Sequence, residues 1–169
     1  YHRLCDQKLQ EENKSREWGE ARLRDKVGTL IKARLELVEE KELVRRATTL
    51  FALPQNNLTG LKLIWETSDI IWKIAGDTSN DINWYTKRTT LSAVYGAVVL
   101  FWLGDNSSES EKTWEFVDRR LADVMGFEKF KSTLRANPAL KPFNDLIRKS
   151  VSGIKSPIDY GSPKPGDFR

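Results

Sequence analysis

The chain contains a single cysteine, Cys5, and a single histidine, His2. One cysteine rules out an internal disulfide and makes a reducing compartment the default expectation. One histidine excludes a four-helix di-iron centre, which takes a Glu-x-x-His motif on each of two helices, and it also excludes zinc sites built from Cys and His. There is no Gly-rich phosphate loop and no G-x-S-x-G elbow. Carboxylate pairs such as Glu39-Glu40 stand beside Lys41 and read as a solvated helix face. No catalytic residue, metal ligand or cofactor is therefore expected, and the chain reads as a protein that is not an enzyme.

Long apolar runs are also missing. The longest, Ala97 to Leu103, falls far below the roughly 18–20 residues that span a bilayer, so membrane contact is expected to be peripheral. The opening residues, YHRLCDQKLQEE, resemble neither a signal peptide nor an Arg-rich transit peptide. The missing initiator Met points to a fragment or a processed chain. Charge of one sign is scarce too: 28 basic against 24 acidic residues give a formal +4. That excess allows attraction to anionic lipid but does not argue for nucleic acid.

What remains is a 169-residue chain with 39% hydrophobic residues and six tryptophans, enough for one domain with a real core. Strand-like alternation is absent and helical periodicity runs almost throughout, which predicts an all-α bundle of about seven helices. Leu23, Val27, Leu30, Ile31 and Val38 stripe a helix between Ala21 and Glu40. Leu43, Ala47, Leu50 and Phe51 stripe another, stopped by Pro54. Leu58, Leu61, Trp65, Trp72 and Ala75 stripe a third, closed by Gly76 as a C′ glycine. A long helix follows from about Ile82 to Leu103, then one from about Glu109 to Met125, which Gly126 can kink before Phe127, Phe130 and Leu134. The expected organisation is a helical domain over 1–136, an amphipathic helix over 137–155 and a disordered Pro/Gly-rich tail over 156–169.

Three constellations carry information. The first is Asp81, Trp84, Tyr85, Lys87 and Arg88 at a helix start. Asp81 can cap that helix. Adjacent residues lie 100° apart on a helix, so the two aromatics cannot both point straight into one core. They are either half-buried core residues beside snorkelling Lys and Arg, or the hot spot of a protein interface. The second is the Thr89–Leu103 helix, whose second half is apolar on every face. It is either the central core element, or one side of it lines a cavity or a dimer seam. An apolar pocket lined by Leu61, Trp65, Trp72, Tyr95, Val99 and Trp102 is expected on the second alternative, and a homodimer would use Leu91, Val98, Trp114 and Leu121. The third is the terminal stripe of Phe143, Ile147, Val151 and Ile154 with Arg148, Lys149 and Lys155. It fits either an interfacial membrane helix or a last helix docked on the body.

Read together, GDTSNDINWYTKR, LSAVYGAVVLFWLGDNS and TWEFVDRRLADVM, preceded by LFALPQNN and LKLIWETSDIIWKIAGD, resemble the family of the ninth protein of the coenzyme Q biosynthesis series. The likeness covers about Val38 to Met125, and the DINWYTKR and FEKFK spellings look closer to alphaproteobacterial members than to mitochondrial ones. The resemblance implies the all-α fold of the ligand-binding domain of TetR-type regulators, a bound isoprenoid or other lipid, and a homodimer. It implies the di-iron demethoxyubiquinone hydroxylase as partner, contacted through positions matching Asp81, Trp84, Tyr85 and Arg88. It also implies a membrane-bound amphipathic helix near the C-terminus. On that reading the protein presents a polyprenyl-quinone intermediate to the hydroxylase. It would lie on the cytoplasmic face of a bacterial inner membrane, or on the matrix face of the mitochondrial inner membrane in a eukaryote. The alternative is the ligand-sensing domain of a TetR-type regulator without its DNA-binding unit. TetR-type regulators read DNA with an N-terminal three-helix unit of about 45 residues, whereas about 20 residues precede the helix expected at Ala21. Binding of operator DNA is therefore not expected.

Overall fold

A computed structural model describes residues 1–78 and 82–136, with the side chains of 82, 83 and 125–136 excluded from description. Its described part is all-helical, consistent with a TetR-like ligand-binding bundle. The helices are α1 (His2–Asn13), α2 (Leu23–Glu36), α3 (Lys41–Phe51), α4 (Asn57–Ile74), α5 (Ile82–Gly104) and α6 (Glu111–Ala136), with a 3-10 turn (Ser108–Ser110) before α6. The helix expected to kink at Gly126 instead runs through it to Ala136. The terminal helix and tail expected after residue 136 lie outside the described residues.

The core forms where the helical stripes meet. Val27, Leu30, Ile31 and Leu35 of α2 pack with Ile71 and Trp72 of α4, Leu91, Val94, Tyr95, Val98 and Trp102 of α5, and Val117 and Leu121 of α6. Gly28 keeps α2 close to α6, since a Cβ there would stand 3.3 Å from Leu121 Cδ1. Leu91, Val98 and Leu121, expected at a seam between two copies, are 3%, 0% and 3% exposed, so one chain already buries them in its own core. Among the described residues the exposed large apolar side chains of α5 are Leu100 and Phe101, and Phe101 stacks on Phe116 of α6 at 4.4 Å between centroids.

Between α5 and α6 the backbone at Glu109 and Ser110 enters the left-handed region, at φ 50° and 58°. Such conformations are unfavourable for residues with a Cβ. Asp105 organises the turn: one carboxylate oxygen accepts from the Ser107 N–H and hydroxyl, the other from the Thr113 N–H and hydroxyl. These hydrogen bonds hold the Asp105 carboxyl well below the usual carboxylate range.

The sequence pattern gave no warning of α1. Its buried positions are Cys5, Asp6, Leu9 and Asn13, so half of its inner seam is polar. Asp6 receives Arg34 Nε of α2 at 2.6 Å and the Thr67 hydroxyl of α4 at 3.1 Å. Arg34 also donates to the His2 carbonyl at 3.1 Å and to His2 Nδ1 at 3.3 Å. His2 Nε2 lies 3.1 Å from the Leu63 carbonyl. The Cys5 thiol is buried and points at the Leu37 carbonyl, 3.6 Å away. A few polar side chains thus bolt α1 across α2 and α4.

This arrangement selects neutral His2. Burial pulls its pKa below the ordinary value, opposed by Asp6 and assisted by Arg34. Protonating Nδ1 would turn an acceptor of the Arg34 N–H into a second donor facing it. The unfolded chain then binds the proton more readily, so stability is full above about pH 6.5 and falls as pH drops through the folded value. Since His2 is the only histidine, denaturation midpoints measured between pH 8 and 5 should decline below that point in the wild type. In a His2→Gln variant the decline should flatten. Equal slopes in the two proteins would refute this origin.

Candidate docking site on α4 and α5

The site starts with a helix ending. Gly76 adopts φ 88° after the last turn of α4, the conformation for which a C′ glycine is suited. The Asp77 N–H then reaches the Trp72 carbonyl at 3.0 Å and the Gly76 N–H the Lys73 carbonyl at 3.1 Å, a Schellman closure. This fold-back delivers the Asp77 carboxylate under the start of α5. Lys87 Nζ meets one of its oxygens at 2.7 Å and an Arg88 guanidinium nitrogen meets the other at 2.9 Å. Arg88 Nε also binds Asp69 of α4, which is shared with Lys73. The indole N–H of Trp72 donates to the Lys87 carbonyl at 3.0 Å.

An aromatic cluster rests on this ionic node. The Arg88 guanidinium lies 4.0 Å from the Trp84 ring centroid. Trp84 meets Trp65 of α4 at 5.9 Å and the edge of Tyr85 at 4.8 Å. Trp65, Trp84 and Tyr85 are all half-buried, so the cluster is partly open to solvent.

The structure therefore brings Trp84, Tyr85 and Arg88 together, but in different roles. Arg88 is 1% exposed and supports the rings from beneath, so its guanidinium is not offered at the surface. Asp81 lies outside the described residues. Trp65, read from sequence as a pocket residue, sits in the aromatic cluster instead. Asp69, Asp77 and Lys87 complete the node; the signal for Asp77 was the glycine before it, which forces the chain to turn back.

The six residues expected to line a lipid pocket lie in different surroundings. Trp72, Tyr95 and Trp102 are buried in the packed core, with Val99 against it, whereas Leu61 is exposed. Burial pushes the Tyr95 hydroxyl up to about 12. A cleft of about 660 Å³ does open beside Trp102, but its other walls are Lys32, Leu35, Glu36, Val38, Trp114 and the 108–111 turn. The expected membrane residues, Phe143, Ile147, Arg148, Lys149, Val151, Ile154 and Lys155, lie outside the described residues. Among the described residues no cluster of His, Cys, Asp and Glu could hold a metal, and no helix is long and apolar enough to cross a membrane.

Residues 58–128 match the COQ9 family model. The matched segment holds the whole ionic node and the aromatic cluster. The chain is 36% identical over 124 residues to the mitochondrial ubiquinone biosynthesis protein COQ9 of Rattus norvegicus, covering 69% of this chain and 39% of that protein. It is 36% identical over 129 residues to the probable mitochondrial ubiquinone biosynthesis protein coq9 of Dictyostelium discoideum, covering 75% and 41%. With the mitochondrial ubiquinone biosynthesis protein coq9 of Schizosaccharomyces pombe it shares 36% over 99 residues, covering 57% and 39%. The chain spans about two fifths of the length of these curated relatives. Through the helices that build the aromatic cluster, this chain belongs to the COQ9 family.

Proposed function

We propose that the protein is a non-catalytic accessory factor of ubiquinone biosynthesis. It binds a polyprenyl-quinone intermediate and presents it to the di-iron demethoxyubiquinone hydroxylase at a membrane surface. The observation that carries this reading is the half-open Trp65–Trp84–Tyr85 cluster, held from below by a buried arginine and two carboxylates. Rigid aromatic rings on a fixed base suit a protein partner, because little side-chain entropy is lost on docking. The COQ9 match over the same helices supports the choice of pathway.

The lipid is proposed to enter beside exposed Leu61 and half-buried Trp65, with Trp72, Tyr95, Val99 and Trp102 parting to admit its chain. A second copy is proposed to pack on the outer face of α5 and α6, where Leu100, Phe101 and Phe116 offer apolar surface among the described residues. The terminal stripe from Phe143 to Ile154 is proposed to contact the membrane.

Tyr85→Lys should weaken association with the purified hydroxylase by roughly 2 kcal/mol or more, measured by titration calorimetry, as loss of a hot spot does. Its thermal midpoint and lipid content, read by native mass spectrometry, should stay at wild-type values. Trp84→Lys should weaken association at least as much, with some loss of stability because its ring covers Arg88. Undiminished binding by folded Tyr85→Lys would show that the cluster serves the fold alone.

A further inference from the structure

Helix α3 places no residue in the core. Val44, Ala47 and Phe51 are half-buried, and Phe51 presses on Gly60, where an added Cβ would come within 2.7 Å. That contact folds α3 and α4 into a tight corner. Leu43, Leu50, Leu53, Leu58 and Leu61 are left exposed around it, half of the ten exposed large apolar side chains among the described residues. Leu58 and Leu61, at 77% and 62%, are the most exposed of the ten.

The surrounding charge argues for the occupant. Lys41, Arg45, Arg46 and Lys62 stand in this segment against one acid, Glu42, so the corner holds most of a chain-wide excess of only +4. Its apolar part is leucine, which is under-represented among protein–protein hot spots. Insertion into acyl chains needs no more than apolar area, with cations at headgroup depth. Lys41 and Arg45 tie α3 to the carbonyls of Asp105 and Leu103 at the end of α5.

We infer that the α3–α4 corner is a docking surface for an anionic lipid bilayer, its leucines inserting between headgroups held by Arg46 and Lys62. Bilayer docking through this corner does not depend on lipid presentation to an enzyme.

The test is flotation of the full chain with phosphatidylcholine vesicles, with and without phosphatidylglycerol. Wild-type protein should float with the anionic vesicles. The Leu50→Ser/Leu58→Ser/Leu61→Ser variant, folded by circular dichroism, should bind at least about tenfold more weakly, since one buried leucine accounts for that factor. Arg46→Glu/Lys62→Glu should lose the preference for phosphatidylglycerol. Ile147→Glu/Val151→Glu in the terminal segment should keep leucine-dependent flotation. The proposal fails if wild type does not float, if the leucine variant floats equally well, or if the terminal variant alone abolishes flotation. It fails also if the leucine changes convert a dimer to a monomer by light scattering, which would make a second copy the occupant.

Discussion

Arg88→Met should lower the unfolding free energy by about 3–5 kcal/mol, the range for removing one partner of a buried ion pair. The Asp77 side chain is only 1% exposed and would lose its contact with the guanidinium, keeping the ion pair with Lys87. Asp69 would retain Lys73 but lose the shorter of its two contacts. Trp84 would lose the cation beneath its ring, worth about 0.5–2 kcal/mol. Lysine at 88 should not restore the loss, because one ammonium cannot fork between two carboxylates as a guanidinium does. Urea denaturation followed by tryptophan fluorescence measures the effect. A drop under about 1 kcal/mol would mean that the node adds little and that Arg88 has another task. The same substitution should loosen the docking cluster, so near-ultraviolet dichroism should fall in the folded variant.

Asp6→Ala should be similarly damaging, at about 3–5 kcal/mol, through the other buried node. It leaves the Arg34 guanidinium, whose side chain is 3% exposed, without its carboxylate partner. The Thr67 hydroxyl loses its acceptor as well. The damage should be local at first: hydrogen exchange should accelerate in α1 before α4 or α5. Replacing both partners, as Asp6→Leu with Arg34→Met, should recover much of the loss, since an apolar pair of similar volume avoids the desolvation cost. If the double replacement is as unstable as the single one, the pair supplies more than mutual neutralisation.

The stripes announced α2, α4, α5 and α6 because these helices bury leucine, isoleucine, valine and tryptophan at helical spacing, and Gly76 was readable as a helix terminator; the stripe of α3 announced a helix too, but its Leu43 and Leu50 stay exposed. Helix α1 was not readable, because Asp6 and Asn13 occupy inward positions where an apolar residue signals burial. Its inward face makes sense only when Arg34 and Thr67, far away in sequence, are placed opposite. The docking cluster was half legible. Trp84, Tyr85 and Arg88 are neighbours on one helix, so periodicity alone joins them. The depth of Arg88 depends on Asp69 and Asp77 from another helix, which spacing along the chain does not encode. The dimer expectation put Leu91, Val98 and Leu121 on the wrong side of their helices: a stripe identifies an apolar face without saying whether it meets the same chain or another.

The thiol of Cys5 lies beneath α1 and is the only sulfhydryl in the chain. A maleimide or disulfide reagent can therefore meet it only while α1 is lifted. Its modification rate, divided by that of an unhindered thiol, is an equilibrium constant for that lifting when closure outpaces reaction. The protein thus carries its own gauge of how often α1 swings away, and it needs no engineered label. Wild-type chain should react slowly and monophasically, and the gauge, normalised to the unhindered thiol at each pH, should rise with acid below the ordinary histidine range.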